Sequence, residues 1–273
     1  MLREERHRII LEQLHSDGLV TVAQLSQSLG VSEVTIRRDL RELDEQGKLQ
    51  RARGGALSRV QIPPPEPPVI QRMEQAREIK DCIGRQAASL IADGDAVFIG
   101  SGSTAVYVAR HLTNRRNLTV VTNALTVASE LAAADGVTVV MTGGMMRGSE
   151  LSLVGHIAEL ALDEVRVDKV VMGMRAISLE AGLTNDFLPE VMTDRAIIRM
   201  AHELIVVADH TKFGKVAAAY VAPVSRITTL ITDPGIPADT LAALEELGIR
   251  VIMASCTNSN GNDTNGNNGE DTL

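Results

Sequence analysis

Apolar residues recur at helical spacing through the first sixty positions, then as short strand-length runs from about residue 76, so the chain reads as two regions of different construction. In the first region Ile9, Ile10 and Leu14 mark the core side of a helix over residues 3–15. Val22, Leu25 and Leu29 make one apolar stripe on the next. Thr21 stands ahead of it with Gln24 three residues on, the spacing of a capping box. Gly30 ends that helix with the residue that tolerates a left-handed backbone. Ser32 can then cap a second helix running from Glu33 to about Gln46. Ile36, Leu40 and Leu43 fall on one side of it, Val34, Arg38 and Arg41 on the opposite side, with Thr35 and Arg37 flanking the outer face. Gly47 closes the helix, and Lys48, Arg51 and Arg53 follow on a short extended segment that ends at Gly54-Gly55.

The segment SRVQIPPPEPPV, residues 58–69, has five prolines in six positions, which excludes a helix or an inner strand and favours an extended spacer. A proline-rich ligand for a recognition module is the other reading of such a run. From Ala76 the pattern alternates: helix 76–91, strand 96–99, helix 104–112, strand 118–122, helix 124–134, strand 137–141, helix 156–163, strand 168–172, helix 189–201, strands 203–208 and 227–232, helix 238–247 and strand 249–253. Short apolar strands separated by helices imply a mostly parallel sheet covered on both faces. The Asn- and Gly-rich tail from Ser255 has almost nothing to bury and is expected to be disordered. The predicted class is α/β: a small N-terminal winged helix-turn-helix over residues 1–57, a linker over 58–75, a larger Rossmann-like α/β domain over 76–254 and a tail over 255–273.

Composition narrows the function. Aromatics are 2% of the 273 residues against 44% hydrophobic, so the core must be aliphatic. The net charge of −8 excludes a uniformly basic, DNA-coating protein. Residues 1–60 hold 10 Lys and Arg against 9 Asp and Glu, and the rest 17 against 26, which suits local arginine contacts on a near-neutral head. Cys82 and Cys256 are too few and too far apart for a disulfide framework or a metal site, and are expected as isolated thiols. His7 and His15 have no ligand partners spaced around them and are expected as solvated polar positions, so no metal and no cofactor are predicted. MLREERHR is no signal peptide, and no apolar run approaches the ~20 residues of a membrane span, so a cytoplasmic protein without membrane contact is expected.

An outer face bearing Ser32, Thr35, Arg37, Arg38 and Arg41 suits a helix in a major groove, where arginine bonds guanine edges and the rest touch phosphate or thymine methyl. Lys48, Arg51 and Arg53 form a wing for backbone phosphates. Two capped amphipathic helices with arginines on the wet face also describe any small helical domain. The residue order decides further: VSEVTIRRDLRELDEQGKLQRARGGA resembles the N-terminal winged helix of the DeoR family of bacterial transcription regulators, in its TIRRDL core, the glycine before the wing and the closing Gly-Gly-Ala.

In the second region, polar loops fall at strand ends, where open α/β sheets bind ligands. Gly100-Ser101-Gly102-Ser103-Thr104 opens a helix and makes an anion cradle of amides and hydroxyls, or else a tight turn. Thr122-Asn123 can bond ligand hydroxyls, and Thr142-Gly143-Gly144 with Arg147 allows close backbone approach and a cation. Thr184 and the pair Asp209 and Lys212 stand in two further loops, the pair read either as ligand groups or as a surface ion pair. IGSGSTA, VVTNAL, TGG with SLVG, AGLT and ADHTKFG over residues 75–233 resemble the C-terminal sensor domain of DeoR regulators, whose fold is related to ribose-5-phosphate isomerase.

That resemblance implies a DNA-binding regulator, a repressor of a carbohydrate operon, that senses a phosphorylated sugar. It places the phosphate at Ser101, Gly102, Ser103 and Thr104 with Lys212 near the ligand, and extends less directly to Thr122, Asn123, Gly143, Gly144, Arg147, Thr184 and Asp209. The chain departs from the family at Gly100, where many members have Asp, at Met174-Arg175-Ala176, and at Asp194, where a basic residue is usual. The expected partners are double-stranded operator DNA, a small phosphorylated sugar and a second copy of the chain, as dimer or tetramer. Two other functions compete. A sugar-phosphate isomerase or deaminase with an attached DNA head needs a carboxylate base after strand 168–172, where Gly173–Ile177 offers none and Glu180 reads as a solvated loop charge. An architectural DNA-binding protein would carry an inert body.

Overall fold

The computed structural model describes residues 3–17, 19–46, 48–52, 54–57 and 66–256. Gly47, Arg53, residues 58–65 of the proline-rich segment, the tail beyond Cys256 and the side chain of His15 lie outside the described residues. The chain divides into two units, residues 1–61 and 62–273.

In the first unit, α1 (Arg3–Asp17) and β1 (Leu19–Thr21) precede α2 (Val22–Leu29) and α3 (Glu33–Glu45), and β2 (Gln50–Ala52) and β3 (Gly55–Leu57) follow. The capping box forms as the spacing predicts: the Gln24 amide donates to Thr21 Oγ1 at 3.2 Å, and the Thr21 amide to Gln24 Oε1 at 3.2 Å. Gly30 takes φ 64°, and the Thr35 amide donates to the Ser32 hydroxyl at 3.2 Å. The three strands pair antiparallel in the order β1-β3-β2. A side chain at Gly55 would place its Cβ 2.0 Å from the Val20 carbonyl oxygen, so only glycine lets β3 lie against β1.

Ile10, Leu14, Leu25, Ile36, Leu40 and Leu43 are buried together, whereas Ile9 is only half-buried. A charged anchor joins this core. Asp39, the acidic residue of TIRRDL, is buried and takes the Arg6 guanidinium on both oxygens at 2.6 and 2.9 Å. Burial resists ionisation of Asp39, but hydrogen bonds from Arg6 and His7 outweigh it and hold the carboxyl below its ordinary range. His7 is therefore not a solvated position: its Nε2 lies 3.2 Å from Asp39 Oδ1, and it is largely covered. His7, Asp39 and Glu42 bring ligand atoms within 4.8 Å of one another, but Arg6 already holds both Asp39 oxygens.

The second unit begins before Ala76. Helix α4 (Val69–Glu74) occupies part of the segment expected as linker, and α5 (Arg77–Ala88) leads into β4 (Ala96–Ile99). Then follow α6 (Ser103–Arg110), β5 (Leu118–Thr122), α7 (Leu125–Leu131), β6 (Val137–Met141), a hairpin of β7 (Met145–Arg147) and β8 (Ser152–Val154), α8 (His156–Glu164) and β9 (Lys169–Met172). β10 (Ala176–Ser178), β11 (Gly182–Asn185), α9 (Leu188–Met200), β12 (Glu203–Val207), β13 (Ala219–Ala222), β14 (Thr229–Thr232), α10 (Ala238–Glu246) and β15 (Arg250–Met253) complete it.

Seven strands form one parallel sheet in the order β15-β14-β12-β9-β4-β5-β6. Their side chains alternate between two cores, one on each face. Phe98, Val170, Met172, Leu204 and Val206 enter one cluster, and Val97, Ile99, Val171, Ile205 and Val207 the other. β10, β11 and β13 make a small antiparallel sheet beyond the main one.

The two cysteines are not isolated thiols. Cys82 on α5 and Cys256, 174 residues later, are joined by a disulfide with Cα atoms 5.5 Å apart. The chain leaving β15 buries Ala254 in the same cluster as Cys82, which brings the second cysteine beside α5.

Replacing Asp39 by Ala takes both carboxylate oxygens away from the buried Arg6 guanidinium and should destabilise the first unit by about 3 kcal/mol. Chemical denaturation followed by circular dichroism checks this; a loss below about 1 kcal/mol would show that the pair is dispensable.

Candidate functional site

On α3 the apolar stripe is turned inward, which leaves the opposite face to solvent. Val34 is 76% exposed, and the Arg38 side chain is 80% exposed. Ser32, Arg37 and Arg41 are also exposed, and Thr35 is half-buried. Arg37 reaches back to Glu33 at 2.7 Å and Arg38 toward Glu42 at 3.5 Å, surface pairs that a phosphate or a base edge can replace at little cost. Ser32 and Thr35 spend their hydroxyls on each other at 2.9 Å and on the cap. Lys48 and Arg51 are exposed at the strand pair that follows.

The second unit holds a cavity of about 430 Å³. Its position follows from the sheet order. The chain runs from β4 outward through β5 to β6, then returns to lay β9 on the other side of β4. At such a reversal the loops after two neighbouring strands diverge and leave a crevice beyond their carboxyl ends. Gly100–Thr104 follow β4, Gly173–Arg175 follow β9, and Ala208 and Lys212 follow β12; all line the cavity. Gly102 sits at φ 122° and opens α6, whose first-turn amides have no partner within the helix.

Four cations, Arg72, Arg147, Arg175 and Lys212, share this lining with five carboxylates, Glu66, Glu150, Asp186, Glu190 and Asp194. Lys212 Nζ donates to Glu66 Oε1, which also takes Arg175 Nη1 at 2.7 Å, while Arg72 Nη1 lies 3.1 Å from Glu66 Oε2. Burial resists ionisation of Glu66, but Lys212, Arg72 and Arg175 outweigh it and hold the carboxyl below its usual range. Arg72 also pairs with Glu150, and Arg175 with Asp186 at 2.5 Å. Arg147 pairs with Glu190 and stacks on Phe187, 4.7 Å from the ring centroid. Glu190 further accepts from Ser152 Oγ and Asn185 Nδ2, each at 3.1 Å. Asp194 accepts from Asn185 Nδ2 at 2.8 Å, and burial followed by the Glu190 charge pushes its carboxyl up to about 8. Burial likewise raises Glu150, with Glu190 adding to it and Arg72 opposing.

Of the residues expected at an effector site, Ser101, Gly102, Ser103, Thr104, Arg147 and Lys212 meet here. Thr122, Asn123, Gly143, Gly144, Thr184 and Asp209 are not in the lining, and the polar ones among them are engaged elsewhere. Thr122 Oγ1 donates to the Ile99 carbonyl at 2.6 Å and accepts from the Ala124 amide at 3.0 Å. Asn123 Nδ2 donates to the Leu153 carbonyl at 3.2 Å, and Thr184 Oγ1 accepts from the Ala217 amide at 2.8 Å. A Cβ at Gly144 would lie 2.8 Å from the Val154 carbonyl oxygen, so this glycine serves close packing. Asp209 and Lys212 do not form an ionic pair with each other: Asp209 caps the short turn after β12 through the Thr211 amide at 3.0 Å, and Lys212 turns to Glu66.

Glu66, Arg72, Arg175, Glu190 and Asp194 were not among the expected site residues. Arg175 and Asp194 stand at departures from the family pattern, which was the available signal. Carboxylates therefore do reach the cavity, from other elements than the loop after β9, and they are held in ion pairs and amide contacts. Glu180 is an exposed turn residue bonded by Ser178, as expected.

A winged helix with an arginine-bearing outer face, followed by an α/β unit whose crevice gathers cations at a helix N-terminus, defines a class of DNA-reading regulator. The DeoR-like helix-turn-helix domain matches residues 6–61, and the DeoR C terminal sensor domain matches residues 75–234. A protein of Escherichia coli O157:H7 named for repression of the aga operon is 36% identical over 91% of this chain and 93% of its own. The glycerol-3-phosphate regulon repressor of Escherichia coli K12 is 32% identical over 93% of this chain and 100% of its own. The transcriptional repressor AccR of Agrobacterium fabrum is 33% identical over 85% and 90%. The chain belongs to the DeoR family of transcription regulators and is a regulator rather than an enzyme. Among solved structures, ribose 5-phosphate isomerase A of Methanocaldococcus jannaschii aligns with a TM-score of 0.38 and 19% identity over 50% of this chain and 54% of that one, a likeness too slight to bear on function. No helix among the described residues is long and apolar enough to cross a membrane.

The raised carboxyl of Asp194 gives stability a pH dependence of known sign. Unfolded, an Asp titrates near 3.9. The stabilisation from its bound proton is thus complete below about that pH and is lost as pH rises through about 8. Asp194→Asn, which keeps the carbonyl oxygen for Asn185, should differ little from the parent near pH 4 and gain on it steadily as pH rises, melting at least about 2 °C higher near pH 9. Melting curves across that range check it; parallel profiles for both proteins would show that Asp194 is ionised throughout.

Proposed function

We propose that this chain binds operator DNA as a homo-oligomer in the cytoplasm, represses a carbohydrate-metabolism operon, and releases it when a phosphorylated sugar or related metabolite enters the crevice of the second unit. The observation that carries the effector reading is the meeting of the Gly100–Thr104 loop and α6 N-terminus with Lys212, Arg175, Arg72 and Arg147 around one cavity. Helix amides and a cluster of cations together favour a phosphate over a neutral ligand. Ser101, Gly102, Ser103 and Thr104 would hold the phosphate with Lys212, and Arg147 would act from the far side. Thr122, Asn123, Thr184 and Asp209 would serve by fixing loops. Glycerol 3-phosphate in one relative's name is a small phosphorylated polyol of this kind.

In the head, Arg38 and Arg41 would read base edges from α3, with Thr35 and Arg37 beside them and Ser32, Lys48, Arg51 and Arg53 on phosphates. One short helix gives little specificity, so two copies would present two half-sites. Exposed Val140 and Met141 on the edge strand β6, with Met145 and Met146 beyond it, support self-association through this apolar edge.

Mobility shift on DNA from upstream of the protein's own gene tests the reading, with and without a panel of sugar phosphates. A specific complex released by one compound is expected; a specific complex that no compound alters would remove the effector. Arg38→Ala should weaken binding to that DNA by about 1–3 kcal/mol and reduce its preference over random DNA. An unchanged preference would take Arg38 off the base edges.

A further inference from the structure

Glu66 lies in the chain just ahead of α4, between prolines at 63–65 and 67–68, and is the first described residue after the segment leading from the head. Its carboxylate nevertheless sits inside the cavity of the second unit, its side chain 14% exposed. There it receives Lys212 from the turn after β12, Arg175 from the loop after β9 and Arg72 from α4. Three cations converging on one oxyanion, beside a helix N-terminus, is the arrangement a phosphate monoester requires. Here the oxyanion is supplied by the protein.

We propose that Glu66 is an internal occupant of the anion subsite, which a phosphorylated ligand displaces, and that its departure frees the segment leading to the DNA-reading unit. This rests on the reading of the cavity as the effector site.

The charges favour exchange over simple addition. A phosphate monoester carries about −1.5 to −2 near neutral pH, against the single charge of a carboxylate, and has three acceptor oxygens. It therefore satisfies Lys212, Arg175 and Arg72 better than Glu66 does, and Glu66 cannot stay beside it without like-charge repulsion. Arg72 and Arg175 also pair with Glu150 and Asp186, so the loss of Glu66 does not leave them without a carboxylate.

The freed stretch has a defined end. The Val69 amide donates to the Ser149 carbonyl at 2.8 Å, the Tyr107 hydroxyl donates to the Met73 carbonyl at 2.8 Å, and Lys80 Nζ donates to the Gln75 carbonyl at 2.6 Å. These pin α4 independently of Glu66. Arg72 also holds the Pro67 carbonyl through Nε at 2.9 Å and the Pro68 carbonyl through its amide at 3.1 Å. Release of the carboxylate thus acts on the chain before Pro67, the part continuous with the head.

The test uses the full chain and inorganic phosphate as the probe, with chloride at equal ionic strength as control. Thermal stabilisation by phosphate should saturate at a concentration at least about tenfold lower in Glu66→Gln than in the parent, because the subsite is no longer occupied by a tethered competitor. In Lys212→Ala the stabilisation should be lost. Equal half-saturation in parent and Glu66→Gln, with stabilisation still lost in Lys212→Ala, overturns the proposal and leaves the site reading standing. Absence of any phosphate effect in both the parent and Glu66→Gln overturns the site reading and the proposal with it.

Should Glu66→Gln fail to fold, a measurement on the parent alone decides. Phosphate should speed trypsin cutting after Arg59, where a merely structural Glu66 predicts an unchanged or slower rate.

Discussion

A parallel sheet whose chain leaves β4 in one direction and later returns to its other side has to open a gap between the loops that follow β4 and β9. That reversal governs the second unit. It brings Gly100–Thr104 and Gly173–Arg175, some seventy residues apart in sequence, to one crevice, and β12 beyond β9 adds Lys212. It is tolerated because apolar side chains alternate along every inner strand, so both faces bury a core while polar groups are confined to the strand ends. Residues that could not be neighbours by sequence become so by topology.

What the crevice then holds is a set of buried charges in near balance. Removing such charges from water is costly, and the cost is recovered only where each finds a partner with good geometry. Glu66, Glu150, Asp186 and Glu190 find arginine or lysine; Asp194 finds an amide and keeps its proton instead. An anion entering this set changes partners rather than burying a new charge. The head obeys the same rule on a smaller scale, since Asp39 meets the buried Arg6 with two oxygens.

The local rules of the chain were legible: Thr21 and Gln24 as a capping box, Gly30 as a stop, the α3 stripe, and every strand of the parallel sheet. Each depends on neighbours within a few residues. The small antiparallel sheet and the β7–β8 hairpin escaped because most of their strands mix polar or glycine positions into three or four residues. β4, β9, β14 and β15 are no longer than four residues, but they stand as apolar runs among helix-spaced segments. Within the site, Gly100–Thr104 was readable because a glycine-rich loop opening a helix has a physical signature of its own. Thr122 and Asn123 stand at a strand end just as a ligand-binding pair would, but their hydrogen bonds run to Ile99 and Leu153, which sequence spacing does not reveal. Asp39 drew no reading from the sequence because its partner lies 33 residues earlier. The Cys82–Cys256 pairing was hidden by the same kind of distance.

Glu66 shows most plainly where backbone reasoning stops. Judged by its prolines, the segment around it is a spacer, and that judgement is sound for φ and for the missing amide donors. It says nothing about a carboxylate standing among those prolines. The prolines also change what a movement of that carboxylate does. A glycine- and serine-rich joint absorbs a displacement within a residue or two, whereas a proline-rich composition is stiffer and passes it on over a longer stretch. The same composition that makes the segment look inert therefore suits it to carry the state of the crevice toward the head.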